Sequence, residues 1–347
     1  MPKKRENPEG ETIASKEEPL KKEEKEEKQT KEEMKKEKLM QLQEKERETF
    51  NSLRKVKYKS LVSNCYSEMD AYTEMVIDGI STGALIEGSG GTGKTYRVIN
   101  KALSRCNGED EDEMAYTDSY TTPQALYTWL YKNRDKKVLV VDDVAGFMNN
   151  DKVLAFLKGA LWEVNGKRLI NYMTSKPIKD EFEDLVPNTF EMNAGIIIIT
   201  NFVNKKNPHV QAVLTRINYC NVEIPRKELL EILGQIAQQG YKELSKQECA
   251  EIFYFLSEKT SESTVNLNIR SLFKMFQFKV YSKKCGNSEL WKTLSLKMLQ
   301  KDDRLVIVEA LVKDESFASE AEREIEFYKL TGEKRATYYR LKKQLEE

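Results

Sequence analysis

Hydrophobic and polar positions divide the chain into three textures. Residues 1–48 alternate acid and base with no apolar period. From about Phe50 short apolar runs appear between amphipathic stretches. Residues 67–78 read as a helix leading into the apolar strand 84–86. A glycine-rich turn follows, then a helix over 95–105, a short strand at 114–116 and a helix over 123–133. Pro123 opens that last helix, where a missing N–H costs little. Residues 138–141 (Val-Leu-Val-Val), 196–199 (four Ile) and 220–224 read as buried strands. Continuous β-branched runs separated by helices predict a parallel sheet covered on both faces. Beyond Pro225 the pattern is helical, with helices expected over 227–237, 245–258, 267–280, 288–299, 303–312, 317–328 and 333–345. No internal repeat is visible.

Composition sharpens the first boundary. Of residues 1–48, 29 are charged and none is aromatic. Such a stretch cannot bury enough apolar surface to offset its ordering entropy, so a solvated tail is expected. Glu-to-Lys pairs four apart, such as Glu24 and Lys28, leave a solvated or partner-binding helix as the alternative. The whole chain balances 57 basic against 57 acidic side chains. Any nucleic-acid contact must therefore come from a local patch rather than a global field. Five scattered cysteines without a C-x-x-C pair argue against a disulfide framework or a zinc site. His209 is the only histidine, which removes histidine-based triads. No apolar run is long enough to span a membrane, so the sequence reads as cytoplasmic with no membrane partner.

The chemistry concentrates where apolar strands end. Gly88, Ser89, Gly90, Gly91, Thr92, Gly93, Lys94 and Thr95 match G-x-x-x-x-G-K-[ST] in full, with a strand before and a helix after. Glycines let successive N–H groups turn toward phosphate oxygens, and the following helix adds its positive end. Lys94 suits the β- and γ-phosphates of a nucleoside triphosphate, and Thr95 suits Mg2+. Four apolar residues ending in Asp142-Asp143 place two carboxylates at the same sheet edge. Asp142 suits the metal shell, and Asp143 suits the attacking water as orienting group or base. The Ile run ends in Thr200-Asn201, whose amide either holds that water or simply starts a turn.

This order of elements resembles the AAA+ ATPases: a phosphate loop, a strand ending in Asp-Asp, a strand ending in Thr-Asn, then an arginine before another strand. In that family the Asn-bearing strand lies between the other two. The resemblance covers residues 60–280 and implies an ATPase using ATP and Mg2+. It implies a sensor-1 role for Asn201. Arg216 then resembles the arginine finger that reaches a neighbouring subunit's nucleotide, and Arg270 the sensor-2 arginine of a lid helix. A guanidinium is always charged and forked, which suits charge spreading over γ-phosphoryl oxygens. A surface arginine and a helix ion pair are the plainer readings. Asp-Asp, where many members carry Asp-Glu, is similar to bacterial replication initiators and helicase loaders, particularly those of phages or mobile elements. The shorter Asp143 then implies slow turnover, and a phage origin would place the protein in host cytoplasm.

With that resemblance the expected domains are a charged tail (1–48), an AAA+ nucleotide-binding domain (49–225), a helical lid (226–300) and a helix-turn-helix-like region (301–347). In the last, Gly332 permits a tight turn, and Arg335, Arg340, Lys342 and Lys343 can meet DNA phosphates. Thr337 and Tyr338 are candidate groove contacts, with the acids of 320–326 facing away. A solvated helix packed on its neighbours is the alternative. The polar stretch 166–190, with Lys167, Arg168, Lys176 and Lys179, either lines a ring channel or forms an outer hairpin. The expectation is an oligomeric ATPase acting in DNA replication with DNA and a helicase or other replication protein as partners. A protein-remodelling ATPase and a small-molecule kinase are the alternatives.

Overall fold

A computed structural model describes residues 64–105, 113–118, 122–143, 148, 150–180, 182–261, 264, 266–299, 303–314, 316–317 and 319–346, with isolated positions between 33 and 41. The charged tail and most of the acidic loop 109–113 lie outside them. Two compact units divide the chain, Lys57–Ile178 with Leu185–Glu347, and Met1–Val56 with Lys179–Asp184. All elements labelled below belong to the first. Among the described residues no helix is long and apolar enough to cross a membrane.

Five parallel strands form the centre: β1 (Gly83–Glu87), β2 (Met114–Thr117), β3 (Val138–Asp142), β4 (Gly195–Thr200) and β5 (Asn218–Asn221), in the order β2-β3-β4-β1-β5. β1, β3 and β4 are buried along nearly their whole length, as their unbroken apolar runs require. The Asn-bearing strand β4 lies between β1 and β3, and Asp142 is level with Ile199, and Glu87 with Thr200. All three strands therefore deliver their polar ends to one edge.

Helices α1 (Ser67–Ile77), α2 (Lys94–Arg105) and α3 (Pro123–Lys132) cover the sheet together with α4 (Asp151–Leu161) and the short α5 (Pro208–Leu214). α4 is not among the helices expected from the sequence. Asn150 caps it through Lys152 and Val153, and Val153, Leu154, Phe156, Leu157, Ala160 and Leu161 form its buried face. α1 and α2 are joined by a ladder: Asp70 with Arg97, Glu74 with Lys101 and Asp78 with Arg105, at 2.7, 2.6 and 3.2 Å. Part-buried at its first two rungs and exposed at the third, the ladder repeats every four residues on both helices and so sets their register.

The stretch predicted as a channel liner or hairpin contains an antiparallel pair, Leu169–Asn171 with Thr189–Glu191. Arg168 donates to the carbonyl oxygens of Ala160, Asn193 and Ala194, so it staples this pair to α4 and to the residues just before β4. After β5 come α6 (Arg226–Ala237), α7 (Lys246–Lys259), α8 (Ile269–Lys284) and α9 (Leu290–Met298), then α10 (Asp303–Lys313), α11 (Glu320–Thr331) and α12 (Arg335–Glu346). The last three enclose their own small core of Leu305, Val308, Leu311, Phe327, Tyr338 and Leu341.

Candidate functional site

The loop 88–95 leaves the carboxyl end of β1 and enters α2. Gly91 and Gly93 hold φ of +81° and +82°, conformations that side-chain-bearing residues adopt only at a cost. A β-carbon on Gly88 would lie 2.6 Å from the Val222 carbonyl oxygen, so the loop approaches the end of β5 as closely as only glycine allows. Lys94 is buried, and its ammonium donates to Gly88 O at 2.6 Å and Ser89 O at 2.8 Å. Burial pulls its pKa down, Asp142 and Asp143 oppose that, and Arg270 adds to it.

The Thr95 hydroxyl lies near enough to Asp142 to act on its carboxylate. Burial raises the Asp142 pKa, while the Thr95 and Tyr116 hydroxyls hold the carboxylate down. Tyr116 donates to Asp142 Oδ2 at 3.2 Å, its phenol kept protonated by burial and by the Asp142 charge. The sequence pattern assigns Tyr116 to a strand but not to the site. The signal that could have found it is its place near the carboxyl end of a parallel strand, where ligands gather.

Asp143 follows β3 at φ +45°, with its N–H on Ile199 O at 2.8 Å. Its carboxylate accepts from Asn201 Nδ2 at 2.6 Å. Asn201 Oδ1 and the Arg270 guanidinium both border Gly90, at 3.9 and 3.3 Å from a β-carbon built there. Thus Lys94, Thr95, Asp142, Asp143, Asn201 and Arg270 surround one loop. Arg216 does not join them. Its guanidinium donates to Ala212 O and Thr215 Oγ1 and stacks 5.8 Å from the Trp162 ring.

Two further contacts have no counterpart in the sequence expectations. Tyr66 donates to Thr92 O at 2.6 Å while Arg97 lies 4.5 Å over its ring. The first turn of α8 rests on the loop, with Ile269 N–H donating to Gly91 O at 3.0 Å. Both end on a backbone carbonyl of the loop and join segments distant in sequence, which side-chain patterning does not reveal.

The C-terminal candidates behave less uniformly. Tyr338 is fully buried against Phe327, and its hydroxyl donates to Glu320 Oε2 at 3.1 Å. It is a core residue, not a groove contact, because its ring fills the centre of the three-helix core. The acids do not all face away either. Glu320 pairs with Lys342 at 2.9 Å, and Glu324 with Arg335 at 3.2 Å. Thr337 Oγ1 donates to Glu333 Oε2 at 3.3 Å. Arg335, Arg340 and Lys343 are exposed, and Gly332 turns the chain at φ +71°.

No family model matches the chain. A stretch of 176 residues is 28% identical to an uncharacterized 36.7 kDa protein in the nrdC-mobD intergenic region of Enterobacteria phage T4, covering 49% of this chain. The match spans about half of that relative, 54% of its length. Among solved structures, domain III of the Thermotoga maritima replication initiation protein DnaA is 16% identical at a TM-score of 0.44, covering 70% of this chain and 95% of that one. A DNA replication initiation factor is 16% identical at 0.41, covering 83% and 85%. AMPPCP-bound DnaA from Aquifex aeolicus is 14% identical at 0.42, covering 81% and 85%. With β4 set between β1 and β3, the 88–95 loop leaving β1 and paired acids leaving β3, the parallel sheet has the strand order that the resemblance to AAA+ ATPases implies.

Proposed function

We propose that the chain is an oligomeric ATPase that binds MgATP at residues 88–95 and acts in DNA replication as an initiator or helicase loader. The observation carrying this reading is the convergence of Lys94, Asp142, Asp143, Asn201 and Arg270 on the loop. Thr95 and Asp142 offer two oxygen donors at one point, which fits Mg2+, a hard cation. Bound Mg2+ would neutralise charge on the β- and γ-phosphate oxygens. Lys94 turns an ammonium toward oxygens inside the loop, and Arg270 brings a second cation over Gly90. Asn201 holds Asp143 in place, and Asp143 orients the attacking water and takes its proton. Arg216, remote from its own loop, acts on a neighbouring subunit's nucleotide.

α10–α12 meet duplex DNA through Arg335, Arg340 and Lys343. The exposure of these side chains on the helix after the Gly332 turn favours DNA over a remodelled protein as the substrate. Mixed-subunit kinetics test the core of the reading. Lys94→Ala protein should lose hydrolysis, and Arg216→Ala protein should bind ATP without turning it over. Mixing the two should restore part of the rate. Normal turnover by isolated Arg216→Ala protein would remove the role in trans.

A further inference from the structure

Glu87 ends β1 immediately before the phosphate loop, and the chemistry above makes no use of it. Its side chain is nonetheless only 12% exposed and well engaged. Oε1 accepts from Val203 N–H at 3.0 Å. Oε2 accepts from the Tyr219 hydroxyl and lies 3.6 Å from Lys205 Nζ. The Lys205 ammonium also sits 4.6 Å from the centre of the Tyr219 ring.

The partners come from two places. Val203 and Lys205 belong to the turn just after Asn201, and Lys205 O accepts from Gln211 Nε2 in α5 at 2.5 Å. Tyr219 belongs to β5, three positions after Arg216. One carboxylate therefore holds both ends of a crossover that begins beside Asn201 and carries Arg216. The same residue continues into Gly88, whose N–H donates to Thr200 O at 3.2 Å. A carboxylate beside a triphosphate site would ordinarily repel it, and the Lys205 ammonium offsets that charge.

We propose that Glu87 is a positioning residue that fixes the β4–β5 crossover, and Arg216 with it, in register with the phosphate loop. This rests on the reading that Arg216 acts in trans. Glu87 then ties the part of a subunit that holds its own nucleotide to the part that reaches its neighbour's.

Combined variants separate this from a merely structural role. Full-length Lys94→Ala subunits, inactive themselves but able to lend Arg216, should restore hydrolysis to Arg216→Ala subunits. Lys94→Ala/Glu87→Gln subunits should restore less than a tenth of that rate. In an otherwise native chain, Glu87→Gln should lower kcat about tenfold, with MgATP affinity changed by less than twofold. If Glu87→Gln lowers the melting temperature, Lys94→Ala/Tyr219→Phe, which removes one hydroxyl and keeps the ring, provides the same readout. Restoration by either double variant equal to that by Lys94→Ala overturns the proposal. No restoration by Lys94→Ala itself overturns the reading of Arg216, and this inference with it.

Discussion

Asp143 meets two demands that ordinarily conflict. Its backbone occupies the left-handed region, at a cost of about 1 kcal/mol for a residue with a β-carbon. Its carboxylate is held by Asn201. Strain of this kind persists where surrounding structure enforces it, and here it aims an acid at the phosphate loop. Asp143→Gly removes both the strain and the bond, so its stability should stay within about 1 kcal/mol of the native chain. Asp143→Ala keeps the strain and loses the bond, and should be less stable than Asp143→Gly by about 1 kcal/mol. Chemical denaturation of the two variants checks this, and equal midpoints would remove strain from the account. Hydrolysis should be lost in both. The Asp142-Asp143 and Thr200-Asn201 endings are legible in the sequence because unbroken apolar runs stop there. Tyr116 is not, since a tyrosine in a strand ordinarily signals packing.

Elements whose boundaries depend on their own chemistry are well marked in the sequence; those set by neighbours are not. α7 begins with a capping box, Ser245 with Glu248, and Glu248 is also bonded to Lys283 of α8 at 2.7 Å. That hydrogen bond, then the Ser245 backbone N–H, pull the Glu248 pKa down to about 2 from 4.5. A depressed acid stabilises the fold above its unfolded pKa and loses that contribution as pH falls through the folded one. Glu248→Gln should therefore cost about 1 kcal/mol near neutral pH. The difference should shrink between pH 4.5 and about 2, as denaturation series at several pH values would show. A constant difference would mean that the charge plays no part. β5 illustrates the other case. Residues 220–224, apolar at alternate positions, suggest a strand, but pairing with β1 sets it at Asn218–Asn221, with Val222 adding one more bond to Glu87 O. Ladder register outweighs side-chain hydrophobicity at such an edge. α4 is readable in principle, since its apolar positions recur at helical spacing.

Over the whole molecule, balanced charge means that the proposed DNA contact would have to be local. Glu320 and Glu324 already occupy Lys342 and Arg335 within α11 and α12. Arg340 and Lys343 are, like Arg335, exposed on α12, and in the proposed reading phosphate contact should depend on them. Replacing both with Ala should reduce the slope of log affinity against log salt by about 2, with the MgATP affinity unchanged. An unaltered slope in a binding titration would place the DNA surface elsewhere. The three-helix core around Tyr338 is hidden in the sequence because a tyrosine beside arginines looks like a contact residue until its neighbours in space are known.

The seat of α8 on the phosphate loop makes that helix a lever. Its pivot is the bond from Ile269 to Gly91, and it extends sixteen residues to Lys284. At about 1.5 Å per residue it is about 24 Å long, so a tilt of about 5° at the pivot carries its far end about 2 Å. A rigid tilt of that kind, started by a small change in the loop, would be magnified at the opposite end of α8.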